Sequence, residues 1–225
     1  MPPNIVSDFE GVIRLDTTAY GLEQRRDIKS MLNYIPQGAA VLDVGCGFGL
    51  PTAQAAEYFA MSACDINSRG NPEFVELLMK LRNIDFKWSQ PGSLPYEDHV
   101  FEAVLLYAVI EHVPNKCELL KACRRVLKPN GKIFIFRAVN QHSITEKIVG
   151  SLGYPTHGAD VVTKAVLIQA VEESGFAVDR IGYQGWLPEN TFPRTLVFSL
   201  NQLLVRIPWV NRFSHDFFLV ATRRT

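Results

Sequence analysis

The chain has 225 residues, of which 47% are hydrophobic and 20% are charged, a composition typical of one globular domain with a sizeable core. Its 23 basic and 23 acidic residues cancel and form no basic run, which argues against nucleic acid as a partner. The longest unbroken apolar stretch, 103–110, is far shorter than the ~20 residues needed to cross a bilayer, and residues 1–10 lack a signal-peptide pattern. We therefore expect a single cytoplasmic domain with no transmembrane segment.

Short apolar runs rich in Val, Ile and Phe alternate with longer amphipathic stretches, a pattern typical of a parallel sheet covered by helices. Strands are predicted at 40–44, 61–66, 84–88, 101–109, 132–136, 177–183 and 217–222. Helices are predicted at 20–35, 52–58, 73–81, 116–127 and 164–174. The sequence KPNG predicts a turn before the fifth strand, with Gly131 at positive φ. The stretch after that strand is predicted to be an irregular loop.

Residues 186–209 form an apolar segment in which hydrophobic residues fall on both sides of a predicted helix. Something must therefore cover this helix. Three interpretations stay open: a lid over an apolar or aromatic substrate, a helix packed on the domain's own sheet, and a contact in a homodimer.

The stretch VLDVGCGFGLP, residues 41–51, places Gly45, Gly47 and Gly49 between a predicted strand and a predicted helix. Such a loop either serves as a turn that needs positive φ or exposes backbone N–H groups to a ligand. No Gly-Lys-Ser/Thr follows, which excludes a P-loop, and the spacing differs from the Gly-x-Gly-x-x-Gly of dinucleotide-binding proteins. Asp65, at the end of the second strand, can accept hydrogen bonds from a ribose diol, or it caps a turn.

The sequence resembles the class I S-adenosylmethionine-dependent methyltransferases, and among them the small-molecule group related to quinone-biosynthesis enzymes. The matching segments follow the family's order within residues 38–183: VLDVGCGFG, ACDI, LPYEDHVFEAV, IEHV, RRVLKPNGKIFI and VEESGF. The resemblance implies an α/β, Rossmann-like doubly wound sheet of seven strands with an antiparallel last strand, supplied by DFFLVATRR. It also implies one domain over residues 1–225, with a helical cap at 1–36 and an apolar insertion at 186–213 between strands six and seven.

By the same resemblance, the cofactor is S-adenosylmethionine, the product is S-adenosylhomocysteine, and a methyl group goes to a small-molecule acceptor. The implied cofactor-binding residues are Asp43, Gly45, Cys46, Gly47, Gly49, Asp65, Ile66, Gln90 and Tyr107. Gln90 stands where related proteins carry an Asp that faces the adenine amino group, and its carbonyl oxygen can still accept. Pro91 lacks the backbone N–H that would face the ring. Either Gly92 or Ser93 takes over that contact, or adenine is held less tightly.

His112 follows the carboxyl end of strand four and is the candidate general base, although a structural role is the alternative. Some quinone-type relatives bind a metal through Glu-x-x-Glu-His in this segment. Here Ala108 replaces the first Glu and leaves Glu111 and His112, so we predict no metal. His142 and His157 follow strand five and are predicted to be solvated loop residues.

Three functions remain open from the sequence. A methyltransferase acting on a small molecule is the leading interpretation. An NAD-linked oxidoreductase shares the strand-loop-acid layout, but the glycine spacing and the last strand argue against it. A non-catalytic, methyltransferase-like binding subunit is the third, because Pro91 and Ala108 depart from the family pattern.

Overall fold

The computed structural model describes residues 19–66, 72–153, 161–185 and 194–225. Its centre is a seven-stranded sheet in the order β3-β2-β1-β4-β5-β7-β6. The strands are β1 (Ala40–Val44), β2 (Ala60–Asp65), β3 (Asp85–Trp88), β4 (Phe101–Tyr107), β5 (Leu127–Val139), β6 (Phe176–Gln184) and β7 (Asp216–Arg223). The α-helices of the described residues are α1 (Ala19–Ser30), α2 (Leu50–Ala55), α3 (Pro72–Leu81), α4 (Lys116–Val126), α5 (Ile144–Ser151), α6 (Lys164–Glu173) and α7 (Arg194–Leu204).

The strand pairings confirm the doubly wound sheet with an antiparallel last strand. Neighbouring strands from β3 through β5 are parallel. Strand β7 is inserted between β5 and β6 and pairs antiparallel with both. The chain reverses its direction of winding between β1 and β4, and a crevice forms outside the carboxyl ends of strands at such a point.

Each face of the sheet carries its own hydrophobic core, because successive side chains of a strand point to opposite faces. On one face, Leu42 and Leu106 pack with residues of α4 and α6. On the other face, Val41, Leu105 and Phe134 pack with residues of α1 and α3. Burying one such side chain contributes about 1.5–3 kcal/mol, so the two cores fix the sheet and the strand ends that border the crevice.

Two local predictions were wrong. Strand β5 begins at Leu127 and includes KPNG, where Asn130 and not Gly131 has the left-handed φ, at +61°. Gly131 is required for a different reason, because a Cβ there would lie 2.9 Å from the carbonyl oxygen of Lys128. The predicted irregular loop after β5 contains the helix α5, whose sequence ITEKIVGS follows a polar cap at Ser143.

Parts of the predicted cap and insertion lie outside the described residues, namely 1–18 and 186–193, and so does His157. The described part of the insertion contains α7 and a short 3-10 helix, Asn211–Phe213. Leu196, Leu203 and Trp209 are exposed there, Trp209 to 78%. None of the helices in the described ranges is long and apolar enough to span a membrane.

A buried guanidinium ties the N-terminal helix to the sheet. Arg137 has a left-handed φ of +62° at a register shift between β5 and β7, a bulge that redirects its side chain. Its guanidinium pairs with Glu23 and Asp27 of α1 and with Asp216 of β7, the last at 3.3 Å from Nη1 to Oδ2. Its Nε donates to the hydroxyl oxygen of Tyr107 at 3.2 Å. We call these five residues the ionic cluster.

The ionic cluster also reaches the insertion between β6 and β7. The amide Nδ2 of Asn201 in α7 donates to Oε1 of Glu23 at 2.7 Å. Burial raises the pKa of Asp27, whereas the charges of Arg137 and Arg26 oppose this rise. Burying these carboxylates therefore costs free energy, and the positive charge of Arg137 offsets part of that cost.

Replacing Arg137 by Met should lower the free energy of unfolding by about 3–5 kcal/mol, because it removes the buried cation that Glu23, Asp27 and Asp216 share. Urea denaturation of the purified variant measures this loss.

Lys132→Met on the same strand is the matched control. The ammonium of Lys132 pairs with Asp179 at 2.9 Å in a partly exposed position, so its loss should cost no more than about 1 kcal/mol. Equal losses in the two variants would show that the ionic cluster does not stabilise the fold.

Candidate functional site

The glycine loop turns the chain back over the end of β2. The N–H groups of Gly45 and Cys46 both donate to the carbonyl oxygen of Cys64, at 2.8 and 3.2 Å. The φ angles of Gly45, Gly47 and Gly49 are +78°, +54° and +80°, a region that costs other residues about 1–2 kcal/mol. Backbone geometry therefore requires glycine at all three positions.

The three glycines differ in what surrounds them. A Cβ at Gly45 would lie 2.7 Å from Val109, and one at Gly49 would lie 2.6 Å from Met79. A Cβ at Gly47 would meet no atom within 4 Å. Gly45 and Gly49 are thus needed for packing, whereas Gly47 faces space that a ligand can approach.

Asp43 holds the glycine loop in place from the interior of the domain. It is fully buried, and its Oδ2 accepts a hydrogen bond of 2.6 Å from the hydroxyl of Thr52 in α2. Its Oδ1 has no partner among the described residues. Burial raises its pKa to about 7. Asp43 therefore joins β1 to α2 under the loop and does not line the cleft described next.

A cleft of about 420 Å³ opens beside the loop at the carboxyl ends of β1, β2 and β4. Several of the sequence-predicted residues line it: Gly45, Asp65, Ile66, Gln90 and His112. Oδ2 of Asp65 accepts from the N–H of Gly47 at 2.7 Å, which places the carboxylate at the cleft wall. Ile66 is 59% exposed and offers an apolar surface. An acidic and an apolar group therefore stand next to each other on one wall.

Residues 90–93 form a tight turn at the mouth of the cleft. The N–H of Ser93 donates to the carbonyl oxygen of Gln90 at 3.0 Å, and Gly92 has a φ of +73°. Proline at the second position and glycine at the third are the preferences of a type II turn. The departure at Pro91 thus has a local structural reason, and the N–H of Ser93 is already used within the turn.

Comparisons with known proteins agree with this arrangement. Residues 42–135 match the family model described as a methyltransferase domain. A ubiquinone biosynthesis O-methyltransferase of Roseobacter denitrificans is 31% identical over 184 residues, which cover 76% of this chain and 73% of the relative. A protein of the same name from Xanthomonas oryzae pv. oryzae is 36% identical over 105 residues, covering 44% of this chain and 42% of the relative.

The chain belongs to the class I S-adenosylmethionine-dependent methyltransferase family. A methyltransferase structure from Thermotoga maritima has a TM-score of 0.68 at 16% identity and covers 98% of this chain and 96% of that one. That likeness concerns the fold alone. The chain spans about two fifths of the length of the Xanthomonas relatives that it matches.

Five predicted cofactor residues of this methyltransferase-family chain do not line the cleft: Asp43, Cys46, Gly47, Gly49 and Tyr107. Cys46 contributes its backbone to the loop, while its thiol is buried in the core on the α1 side of the sheet. Tyr107 is buried in the ionic cluster, where its hydroxyl donates to Oδ2 of Asp27 at 3.4 Å. Neither is among the residues that line the cleft. Their roles in cofactor binding stay predictions.

Glu111 and His112 are adjacent in the chain but lie in different surroundings. His112 is exposed and lines the cleft. Glu111 is only 1% exposed, and its Oε2 has no partner among the described residues. Burial raises the pKa of Glu111 to about 7, and the charge of Asp216 contributes to this rise. Sequence reasoning noted Glu111 only as a remnant of a metal-binding pattern.

A partly buried histidine, His215, whose charge acts on Glu111, has no signal in the sequence. Nδ1 of His215 lies 3.1 Å from Oδ2 of Asp216, and Nε2 lies 3.1 Å from Oε1 of Glu146. Burial lowers the pKa of His215, but the hydrogen bonds to these two carboxylates outweigh it and raise the pKa to about 10. Within the described ranges, no three His, Cys, Asp or Glu side chains are arranged to bind a metal ion. The absence of a metal stays a prediction.

Replacing Gly49 by Ala should destabilise the fold more than replacing Gly47 by Ala. Both variants pay about 1–2 kcal/mol for the left-handed φ, and Gly49→Ala adds about 1–3 kcal/mol because its Cβ displaces Met79. Urea denaturation of both variants measures the difference. Equal losses would contradict the packing argument for Gly49.

The free energy of unfolding should fall as the pH rises from 5 to 8. Asp43 and Glu111 have raised pKa values of about 7 in the folded protein, so each binds its proton more tightly there than in the unfolded chain. Their ionisation up to about pH 7 therefore destabilises the fold. The stabilisation from His215 is complete below pH 6.5 and is lost as the pH rises through about 10, which acts in the same direction.

Chemical denaturation at several pH values measures this slope. Asp43→Asn and Glu111→Gln should each make it shallower between pH 5 and 8. Glu57→Gln is the control, since Glu57 is an exposed partner of Arg25. An unchanged slope in both test variants would refute the assignment of the pH dependence to these two buried carboxyls.

Proposed function

We propose that this chain is an S-adenosylmethionine-dependent methyltransferase that transfers a methyl group to a small-molecule acceptor. One observation carries the proposal: the carboxylate of Asp65 and the apolar side chain of Ile66 border the same cleft as Gly45, and Asp65 accepts a hydrogen bond from the N–H of Gly47 in the glycine loop. Membership of the methyltransferase family supports it.

The residues present fit the cofactor. A carboxylate can accept about four hydrogen bonds, so Asp65 has capacity left for a ribose diol after accepting from Gly47. Ile66 would lie against the adenine face. Since the N–H of Ser93 is used within its own turn, Gly92 is the backbone donor proposed for the adenine edge, with the exposed amide of Gln90 beside it.

When bound, the cofactor supplies an activated methyl group on a sulfonium. The chain's own contribution is alignment of the acceptor, which can supply much of the acceleration of a displacement reaction. The acceptor would approach from the side of Glu111 and the ionic cluster, near the carboxyl ends of β4 and β5. The relatives named as O-methyltransferases favour a hydroxyl group as the acceptor. His112 and Glu111 are the two candidates to remove its proton.

The described part of the insertion supports an apolar or aromatic acceptor, since Leu196 and Leu203 of α7 are exposed. The same exposure supports the alternative of a homodimer contact. A homodimer through this segment and a cytoplasmic location both stay predictions from the sequence.

S-adenosylhomocysteine should raise the melting temperature of the protein, because a ligand that binds only the folded state stabilises it, whereas NAD and NADP should not. Asp65→Ala should abolish the shift, since it removes the ribose contact. Asp85→Ala is the matched control, because Asp85 is an exposed carboxylate on the neighbouring strand and does not line the cleft. The absence of any shift with the wild-type protein would contradict the proposed function.

The same thermal-shift assay, together with a measurement of methyl transfer, separates the two roles of His112. If its side chain only lines the cleft and contacts the cofactor, His112→Ala reduces the rise in melting temperature with S-adenosylhomocysteine. If it removes the acceptor's proton, the variant keeps the full shift but loses methyl transfer. A variant that keeps both the full thermal shift and methyl transfer would show that His112 has neither role.

A further inference from the structure

A second cavity, of about 490 Å³, lies beside β7 and the edge strand β6. Residues of α1 line it on one face of the sheet, and Lys164 of α6 and Tyr183 line it at the sheet edge towards the other face. We call it the side groove. The lining residues on which the argument depends are Phe136, Phe218, Gly182, Arg180, Lys164 and Asp27. None of the residues lining the side groove also lines the cleft beside the glycine loop, where the cofactor is proposed to bind. A ligand in this groove would therefore bind at a separate site.

The floor of the side groove is aromatic and is formed by two rings inclined at 37° to each other. Phe136 is 2% exposed, and its ring centroid lies 6.4 Å from that of Phe218. A Cβ at Gly182 would overlap the ring of Phe218, so the absence of a side chain there lets the ring lie against the backbone of β6. An aromatic surface of this kind favours a planar, apolar ligand.

The charges around the side groove are unbalanced. Its ionisable lining residues include three cations, Arg26, Lys164 and Arg180, and one acid, Asp27, a formal net charge of +2. Arg26 is matched, since its Nη2 lies 2.6 Å from Oδ1 of Asp27. Within the described part of the chain, neither Lys164 nor Arg180 forms an ion pair. The groove therefore favours an anion.

Both cations are placed against aromatic rings. Nζ of Lys164 lies 4.6 Å from the ring centroid of Tyr183, and the guanidinium carbon of Arg180 lies 5.6 Å from that of Phe218. Such cation–π contacts restrict the two charged groups without neutralising them. Arg180 is consequently close to the aromatic floor and remains able to pair with an anionic group of a ligand lying on it.

We propose that the side groove binds a planar aromatic carboxylate, with its ring on Phe136 and Phe218 and its carboxylate at Arg180 and Lys164. The cavity volume falls within the roughly 300–1,000 Å³ of small-molecule sites. Because α1 and α7 both line the groove, the ligand would contact the two helices that Glu23 and Asn201 join. The groove and the cleft beside the glycine loop share no lining residue, so the proposed ligand and S-adenosylmethionine would occupy separate sites.

Isothermal titration with 2-naphthoate tests this proposal, and the uncharged 2-naphthamide is the matched probe. Wild-type protein should bind the naphthoate at least about tenfold more tightly than the amide, because only the former gains a charge-assisted hydrogen bond. Arg180→Gln and Lys164→Gln should each weaken naphthoate binding about tenfold. Arg206→Gln should leave it unchanged, since Arg206 is an exposed cation after α7 that does not line the groove.

A second titration is made in the presence of saturating S-adenosylhomocysteine, and the dissociation constant of naphthoate should stay the same. No binding by the wild type, equal binding of naphthoate and naphthamide, insensitivity to both substitutions, or displacement by S-adenosylhomocysteine would each overturn the proposal. The thermal shift with S-adenosylhomocysteine, measured on the same variants, confirms that they are folded. Because this shift reports binding of S-adenosylhomocysteine, it also distinguishes a failure of the proposed naphthoate binding from a failure of the proposed methyltransferase function.

Discussion

The carbonyl oxygen of Cys64, which accepts hydrogen bonds from the N–H groups of Gly45 and Cys46, is the contact on which the candidate site depends. It turns the chain back across the end of β2, and this turn brings the N–H of Gly47 to 2.7 Å from the carboxylate of Asp65. The left-handed φ angles of the loop follow from the same tight reversal, and they exclude side chains from the space at Gly47. One backbone contact therefore sets both the shape and the charge of the cleft wall.

The ionic cluster around Arg137 plays the corresponding part for the helices α1 and α7. Buried ion pairs seldom add much net stability, because desolvation offsets their attraction, but removing one partner is costly. This arrangement makes the position of α1 depend on a single cation in β5, and Asn201 extends the dependence to α7. The helices that border the proposed acceptor region are thus positioned by specific polar contacts, in addition to hydrophobic packing.

The contrast between Glu111 and His112 shows why the proton acceptor is hard to assign from the sequence. Both belong to the short 3-10 helix after β4, in which successive side chains point in different directions. His112 consequently lies at the cleft beside the glycine loop, whereas Glu111 is buried and experiences the charges of Asp216 and His215. The two residues are adjacent in the chain, and the backbone places their side chains in two different environments.

The sequence by itself determined the strands, most helices and the glycine loop, because the apolar periodicity of an element and the φ preference of glycine are local properties. Asp65 and Ile66 were predictable for the same reason, since they directly follow the second apolar run. Tertiary structure alone decided the partners of Arg137, because Glu23 is 114 residues away and no local pattern relates such positions. It also decided that Asn130 and not Gly131 takes the left-handed conformation, and that Gly131 is required because a Cβ there would lie 2.9 Å from the carbonyl oxygen of Lys128.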